Sequence, residues 1–313
     1  ILAKDPKQKN VDKLLELLGH TDRRIRQQAQ FALVARGEIK AMRNLAMNRK
    51  AELLPRLHSL WGLGQLKHND SDLLAVLCAD DNDEIRAQVA RWAGELSFDP
   101  ENLIPAMLRD SSPRVRLFAG IACGKLKSRN ALTALEELIV STENKDPILR
   151  HSGIMGLVGV ATLRQLEDFV DHPSEAMRIA AVVALRHLGG IKELTKFIKD
   201  DSPQVMSDAI RAIYDEAQTQ TFLDHPKSLS VIAEALNPQH PPAVNVRAIA
   251  ANRRLGTIVS AKRISTFLAN PNLSHNLRIQ GLYALKSWSK ASRLDPIDGR
   301  YFPVLAGDMD ALN

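Results

Sequence analysis

A chain of 313 residues and 34.7 kDa has room for one large or two ordinary domains, and 45% hydrophobic with 25% charged residues excludes a disulfide-stapled miniprotein or a wholly disordered chain. Aromatic residues, at only 4%, disfavour a β-sandwich or barrel and leave helix as the expectation. The net charge of +6 would suit an anionic partner, but residues 1–60 (13 basic, 6 acidic) and 251–313 (9 and 4) carry the whole basic excess, while 61–160 (11 and 14) and 161–250 (9 and 12) are slightly acidic.

A nucleic-acid groove needs a continuous basic stripe, so nucleic acid is disfavoured as a partner. The chain opens Ile1-Leu2-Ala3-Lys4, without Met and too charged for a signal peptide, which reads as a processed or partial chain. A helix holding Leu14, Leu15, Leu17 and Leu18 then leads into His20-Thr21-Asp22-Arg23-Arg24-Ile25-Arg26 and a second helix. That pattern, an apolar helix, an Asp/Ser/Pro turn and a hydrophobic-Arg pair opening another helix, recurs along the chain.

Further copies are a weaker Leu54-Pro55-Arg56, then Asp81-Asn82-Asp83-Glu84-Ile85-Arg86, Asp110-Ser111-Ser112-Pro113-Arg114-Val115-Arg116, Asp146-Pro147-Ile148-Leu149-Arg150 and His172-Pro173-Ser174-Glu175-Ala176-Met177-Arg178. Asp201-Ser202-Pro203-Gln204-Val205-Met206, Ala243-Val244-Asn245-Val246-Arg247 and Ser274-His275-Asn276-Leu277-Arg278 complete the series, at a mean spacing of 31.5 residues. Each unit holds two helices, Asp or Ser capping the second and Pro fitting its first turn. The expectation is all-α, an α–α superhelix of about nine helical hairpins with 18 helices and no sheet, over residues 1–290. Residues 291–313 read as an extended tail leaving the stack, with a further segment expected to follow. A 41-residue step contains Thr219–Pro226 and the Pro-rich Asn237–Pro242, expected to bend or loop out as a hinge or contact loop. The longest uncharged stretch found, Ser152 to Leu163, is well short of the ~18–20 residues of a membrane span.

The Asp-x-x-hydrophobic-Arg turn resembles HEAT repeats, especially the short bacterial kind. A narrower likeness lies in Gln28–Leu33, Arg56–Leu66, Leu149–Ser152, Ala180–Arg186, Ala251-Asn252-Arg253-Arg254-Leu255-Gly256 and Asp295–Pro303. These resemble the HEAT region of large membrane-bound dehydrogenases of planctomycete-type bacteria, in which a quinoprotein-like β-propeller precedes the repeats and a c-type cytochrome domain follows. The resemblance implies a connector in an exported, periplasmic oxidoreductase. No catalytic or haem-binding residue of that family maps onto these residues, because neither the propeller nor a CxxCH motif lies among them.

Cys78 and Cys123, 45 residues apart, form no zinc, redox or haem motif. The arginine column of Arg26, Arg56, Arg86, Arg116, Arg150, Arg178, Arg247 and Arg278 reads as a structural ladder satisfying turn carboxylates or carbonyls of the adjoining layer, not as an anion track. His20, His172 and His275 fall in turns, His68, His225 and His240 in loops, and His58, His151 and His187 on second helices without metal-ligand pairing. Trp61, Trp92 and Trp288 read as core residues of second helices. The acidic run Asp80-Asp81-Asn82-Asp83-Glu84 reads as a capping turn, since it lacks the Gly and terminal Glu of a calcium loop. Walker, GxGxxG, GxSxG and HExxH motifs are absent. The expectation is a non-catalytic scaffold with no cofactor and no identified small-molecule substrate, contacting protein modules or flanking domains at both ends. The alternatives are a HEAT-like DNA-binding protein of the alkylated-base glycosylase type and a lyase-like or cofactor-attachment HEAT protein.

Overall fold

A computed structural model describes residues 10–216, 226–290, 292–297, 299, 301–304 and 306–308. The chain divides into two compact units, residues 1–161 and 162–313. Unit 1 holds five hairpins: α1 (Val11–Leu17) with α2 (Arg23–Arg36), α3 (Ile39–Met47) with α4 (Leu53–Gln65), α5 (Ser71–Cys78) with α6 (Asp83–Leu96), a 3-10 helix (Ile104–Arg109) with α7 (Pro113–Leu126), and α8 (Leu132–Thr142) with α9 (Pro147–Val160). Unit 2 holds four: α10 (Leu163–Glu167) with α11 (Glu175–His187), α12 (Ile191–Leu194) with α13 (Pro203–Glu216), α14 (Pro226–Glu234) with α15 (Pro242–Leu255), and α16 (Ile258–Leu268) with α17 (His275–Lys286). The nine expected hairpins are thus present among the described residues.

Turn chemistry fixes where each second helix begins. Asp22, Asn82, Asp146, Ser174 and Ser274 are N-caps whose side chains accept first-turn backbone N–H groups. The residue two before the cap accepts the cap residue's own N–H: His20 takes that of Asp22 at 2.9 Å, Asp80 that of Asn82 at 3.0 Å, Asp110 that of Ser112 at 2.8 Å and Asp200 that of Ser202 at 2.8 Å. In unit 1 the second helices α6, α7 and α9 pack so closely that a Cβ on Gly94 would lie 2.8 Å from the Ala122 Cα, and one on Gly124 would lie 2.3 Å from the Met155 carbonyl oxygen. Ser152 Oγ bridges α9 to α7 by donating to the Leu117 carbonyl at 2.7 Å.

Unit 2 ends differently from the expectation. Instead of leaving the stack, the described part of 291–313 doubles back as two antiparallel strands, β1 (Ser292–Leu294) and β2 (Tyr301–Val304), so the chain carries one small sheet. Between them Asp295 is buried: it pairs with the buried Arg254 of α15 and accepts the Tyr214 hydroxyl at 2.7 Å. A buried guanidinium requires a counter-charge, and Asp295 supplies it only if the tail folds inward. Further on, the Gly307 N–H donates to the Trp288 carbonyl at 2.8 Å and the Asp308 N–H to that of Gly256 at 2.7 Å.

The Pro-rich segment Asn237–Pro242 is likewise fastened rather than looped away. Buried Asn245 donates to the His240 carbonyl at 2.9 Å and accepts the Asn237 N–H at 3.0 Å. Residues 219–225 of the expected loop lie outside the described residues. No helix among the described residues is long and apolar enough to cross a membrane.

Candidate functional site: an arginine ladder and an aromatic groove

Counting from the N-caps, Arg26, Arg56, Arg86, Arg116, Arg150, Arg178 and Arg278 all stand four residues beyond the cap. There the side chain can turn back over its own turn. Nη1 of Arg26, Arg86, Arg116 and Arg178 donates at 2.7–2.8 Å to the carbonyl six residues earlier, on His20, Asp80, Asp110 and His172. Arg278 caps the Leu268 and Asn270 carbonyls at 3.0 and 2.9 Å. Arg150 makes no side-chain hydrogen bond among the described residues.

Three rungs then reach the turn of the next layer. Arg86 grips Asp110 through Nε (2.7 Å) and Nη2 (2.9 Å), and Arg178 grips Asp200 through the same pair (2.7 and 3.2 Å). Arg56, which belongs to the weakest sequence copy, is the most enclosed of the three, with Nη1 and Nη2 on Asp80 at 3.3 and 2.5 Å and Nε on the Ala46 carbonyl. The hydrogen bond from Arg86 holds the Asp110 carboxyl below the ordinary carboxylate range. Burial pushes Asp80 up, but the Arg56 and Asn82 hydrogen bonds outweigh it and hold that carboxyl low. Carbonyls therefore come from the arginine's own hairpin and carboxylates from the turn of the adjoining one.

Arg247 departs from the ladder. It stands six residues after its helix cap, Pro241, donates to Ala243 at 3.3 Å and lies 3.9 Å from Asp215. The fourth residue after that cap is Asn245, whose amide performs the carbonyl-capping task. Sequence reading aligned the hydrophobic-Arg pair and so missed the substitution. It also missed Asp200, whose signal is its place 22 residues after a ladder arginine, close to the 24 that separate Arg56 from Asp80 and Arg86 from Asp110.

Over α2, α4 and α6 of unit 1 lies a groove of about 680 Å³, whose walls include Arg26, Phe31, His58, Trp61, Gln88 and Trp92. Phe31 and Trp61 are 43% and 37% exposed, so Trp61 is a surface residue rather than the expected core residue, because its helix face has no further layer above it. Trp92 is buried on α6, and Trp288 is buried in the turn after α17 rather than on a second helix. Polar groups hold the groove's shape. Trp61 Nε1 donates to Gln88 Oε1 at 3.0 Å, His58 Nδ1 meets Gln30 Oε1 at 2.6 Å, and the His58 and Trp61 rings pack edge to face at 4.9 Å. Burial, and then the charge of Arg26, pushes the His58 imidazole down to about 4, which keeps it neutral and able to accept the Arg26 Nε–H at 3.2 Å. Nothing in the repeat pattern marked Phe31, Gln30 and Gln88 as a group, since Phe31 is exposed and the buried Gln30 and Gln88 come from different helices.

Burial pushes the Cys78 and Cys123 thiols up to about 12, with the charge of Asp99 adding to it. No group of three or more His, Cys, Asp or Glu side chains able to hold a metal is assembled among the described residues. The first hairpin has Leu14, Leu17 and Leu18 buried, whereas α17 leaves Ile279, Leu282 and Tyr283 exposed.

The family of HEAT repeats matches residues 70–158. No curated protein matches the sequence. Importin beta, crystallised in an ammonium sulfate condition, superimposes with a TM-score of 0.50 at 12% identity, covering 88% of this chain and 43% of its own. The karyopherin Kap121p bound to the SUMO protease Ulp1p gives 0.53 at 13% identity, covering 88% and 37%. Human deoxyhypusine hydroxylase in complex with glycerol aligns over 82% of this chain and 97% of its own at 16% identity, but its TM-score of 0.31 is too low to equate the folds. This chain thus spans less than half the length of the two karyopherins, and at these identities the likeness is one of fold. Residues 70–158 match HEAT repeats, and the fold is of the helical-hairpin solenoid class, with five hairpins in unit 1 and four in unit 2 among the described residues.

Proposed function

We propose that this chain is a non-catalytic HEAT-repeat scaffold that binds protein and joins modules of a larger exported dehydrogenase–cytochrome protein. The observation that carries the reading is the uncovered face of α17. Ile279, Leu282 and Tyr283, at i, i+3 and i+4, share one side of the helix and are 48%, 54% and 64% exposed. A solenoid buries each layer against the next, so an apolar face on the last one calls for a cover. Residues 251–313 carry 9 basic and 4 acidic side chains, which favours an acidic neighbouring module as that cover. Arg254 and Asp295, which lie in two segments resembling the dehydrogenase HEAT region, form the buried pair that folds the tail onto α15. The ladder's charged groups largely satisfy turns and one another, which supports architecture over chemistry. The fold shared with Kap121p, solved with a bound protein, supports protein as the class of partner.

Hydrogen exchange on this chain alone and within the full protein encoded by its gene tests the reading. Added protection over residues 275–297 in the full protein is expected; unchanged exchange there would overturn it. Tight duplex-DNA binding whose affinity falls steeply with salt would replace it with the DNA-binding reading.

A further inference from the structure

We propose that the groove over α2, α4 and α6 is a docking site for a partner protein segment that places a carboxylate beside an apolar side chain, the carboxylate on Arg26 and the apolar group against Phe31 and Trp61. This deepens the protein-binding reading and rests on it. The argument starts from the ladder's own geometry. On Arg86 and Arg178, Nη1 holds the turn carbonyls while the Nε and Nη2 edge holds the carboxylate of the next layer. Arg26 repeats the first half, with Nη1 on the His20 and Thr21 carbonyls at 2.7 and 3.0 Å. Its second half lacks an acid. The carboxylate stands two residues before the next cap at Asp80, Asp110 and Asp200; in the second hairpin the cap is Glu52, and that position is Lys50.

Arg26 Nε therefore rests on the neutral His58 ring, and Nη2 has no hydrogen-bond partner among the described residues. Arg116 and Arg150 also lack a carboxylate partner, but neither lines this groove. Here Arg26 lines the same groove as the exposed Phe31 and Trp61, and Arg23, Arg26 and Arg91 line it against one acid, Glu95, itself paired with Arg91 at 2.7 Å. A charged donor free to meet a carboxylate, in a groove with an apolar wall and an excess of basic groups, selects an acidic, apolar segment over a basic one. Its carboxylate would take the open Nη2, the group that on Arg86 holds Asp110 Oδ1, with Nε left on His58.

The test is selection from a phage-displayed library of random twelve-residue peptides on the immobilised chain, followed by fluorescence anisotropy with the enriched peptide. Enrichment of Asp or Glu next to Leu, Phe or Trp is expected. Binding of the enriched peptide should weaken at least about tenfold when its acid becomes the amide, and likewise in Phe31→Ala, whose side chain is exposed and whose loss leaves the fold intact. Arg26→Gln should match the amide peptide, with thermal unfolding confirming that it is folded. No enrichment, enrichment of basic peptides, or equal binding by the acid and amide peptides would overturn the proposal. Binding that survives both variants would overturn this site while leaving the protein-binding reading standing.

Discussion

In the middle of unit 1, α6, α7 and α9 approach until glycines meet the neighbouring backbone, whereas the end of unit 2 is held by one buried ion pair, a tyrosine hydroxyl and a tail that returns to its helices. The first arrangement repeats a local rule, and each layer contacts only the next. The second joins Tyr214, Arg254 and Asp295 across 81 residues and happens once. The contrast predicts distributed tolerance in one region and dependence on a single group in the other.

The largest effect is expected at that single group. Asp295→Asn leaves Arg254 buried without its counter-charge and should cost about 3–5 kcal/mol in urea unfolding of the chain. Replacing Arg254 and Asp295 together by Met and Leu should recover most of the loss. Failure of the double variant to recover would show that the tail is held by its backbone contacts instead.

The first layers of unit 1 sharpen the comparison through pH. His58 stays neutral in the folded protein down to about pH 4, while in the unfolded chain it protonates near 6.5. Between those values the unfolded state binds more protons, so stability falls as pH drops from about 6.5 to about 4, by on the order of 3 kcal/mol in total, and levels off below. Asp80 and Asp110, held low, contribute above the ordinary carboxylate value and lose that contribution only as pH falls below it. His58→Gln should therefore flatten the upper window and leave the acid limb intact; an unchanged upper slope would assign it to another group.

Gly124→Ala should destabilise by about 1–3 kcal/mol in the same unfolding measurement, because its Cβ meets the Met155 carbonyl oxygen rather than a yielding side chain. Equal stability would mean that α7 and α9 separate freely. The smallest effect belongs to the repeated local rule itself: Asp146→Ala removes the cap from the Ile148 and Leu149 N–H groups and should cost about 1 kcal/mol.

The nine hairpins were legible because capping residues, Pro at the first helical position and the 31.5-residue spacing act within a few residues of one another. Most of the ladder was legible for the same reason, since an arginine four residues past a cap reaches its own turn. Arg247 was misread because the hydrophobic-Arg pair looks the same whether or not it stands at that distance, and Asn245 took the role instead. The groove was not legible, because it combines exposed Phe31 and Trp61 with buried His58, Gln88 and Trp92 from three helices, and no local pattern says which side chains of separate helices meet.

The sequence by itself determined the fold class, the number of hairpins and the place of each second helix, because those follow from interactions local in the chain. Only the tertiary structure decided which carboxylate each arginine meets, that Arg26 meets none, and that the tail folds back onto α15 rather than leaving the stack. Burying a charge penalises every arrangement that does not bring an opposite charge to it, and no local pattern names that partner.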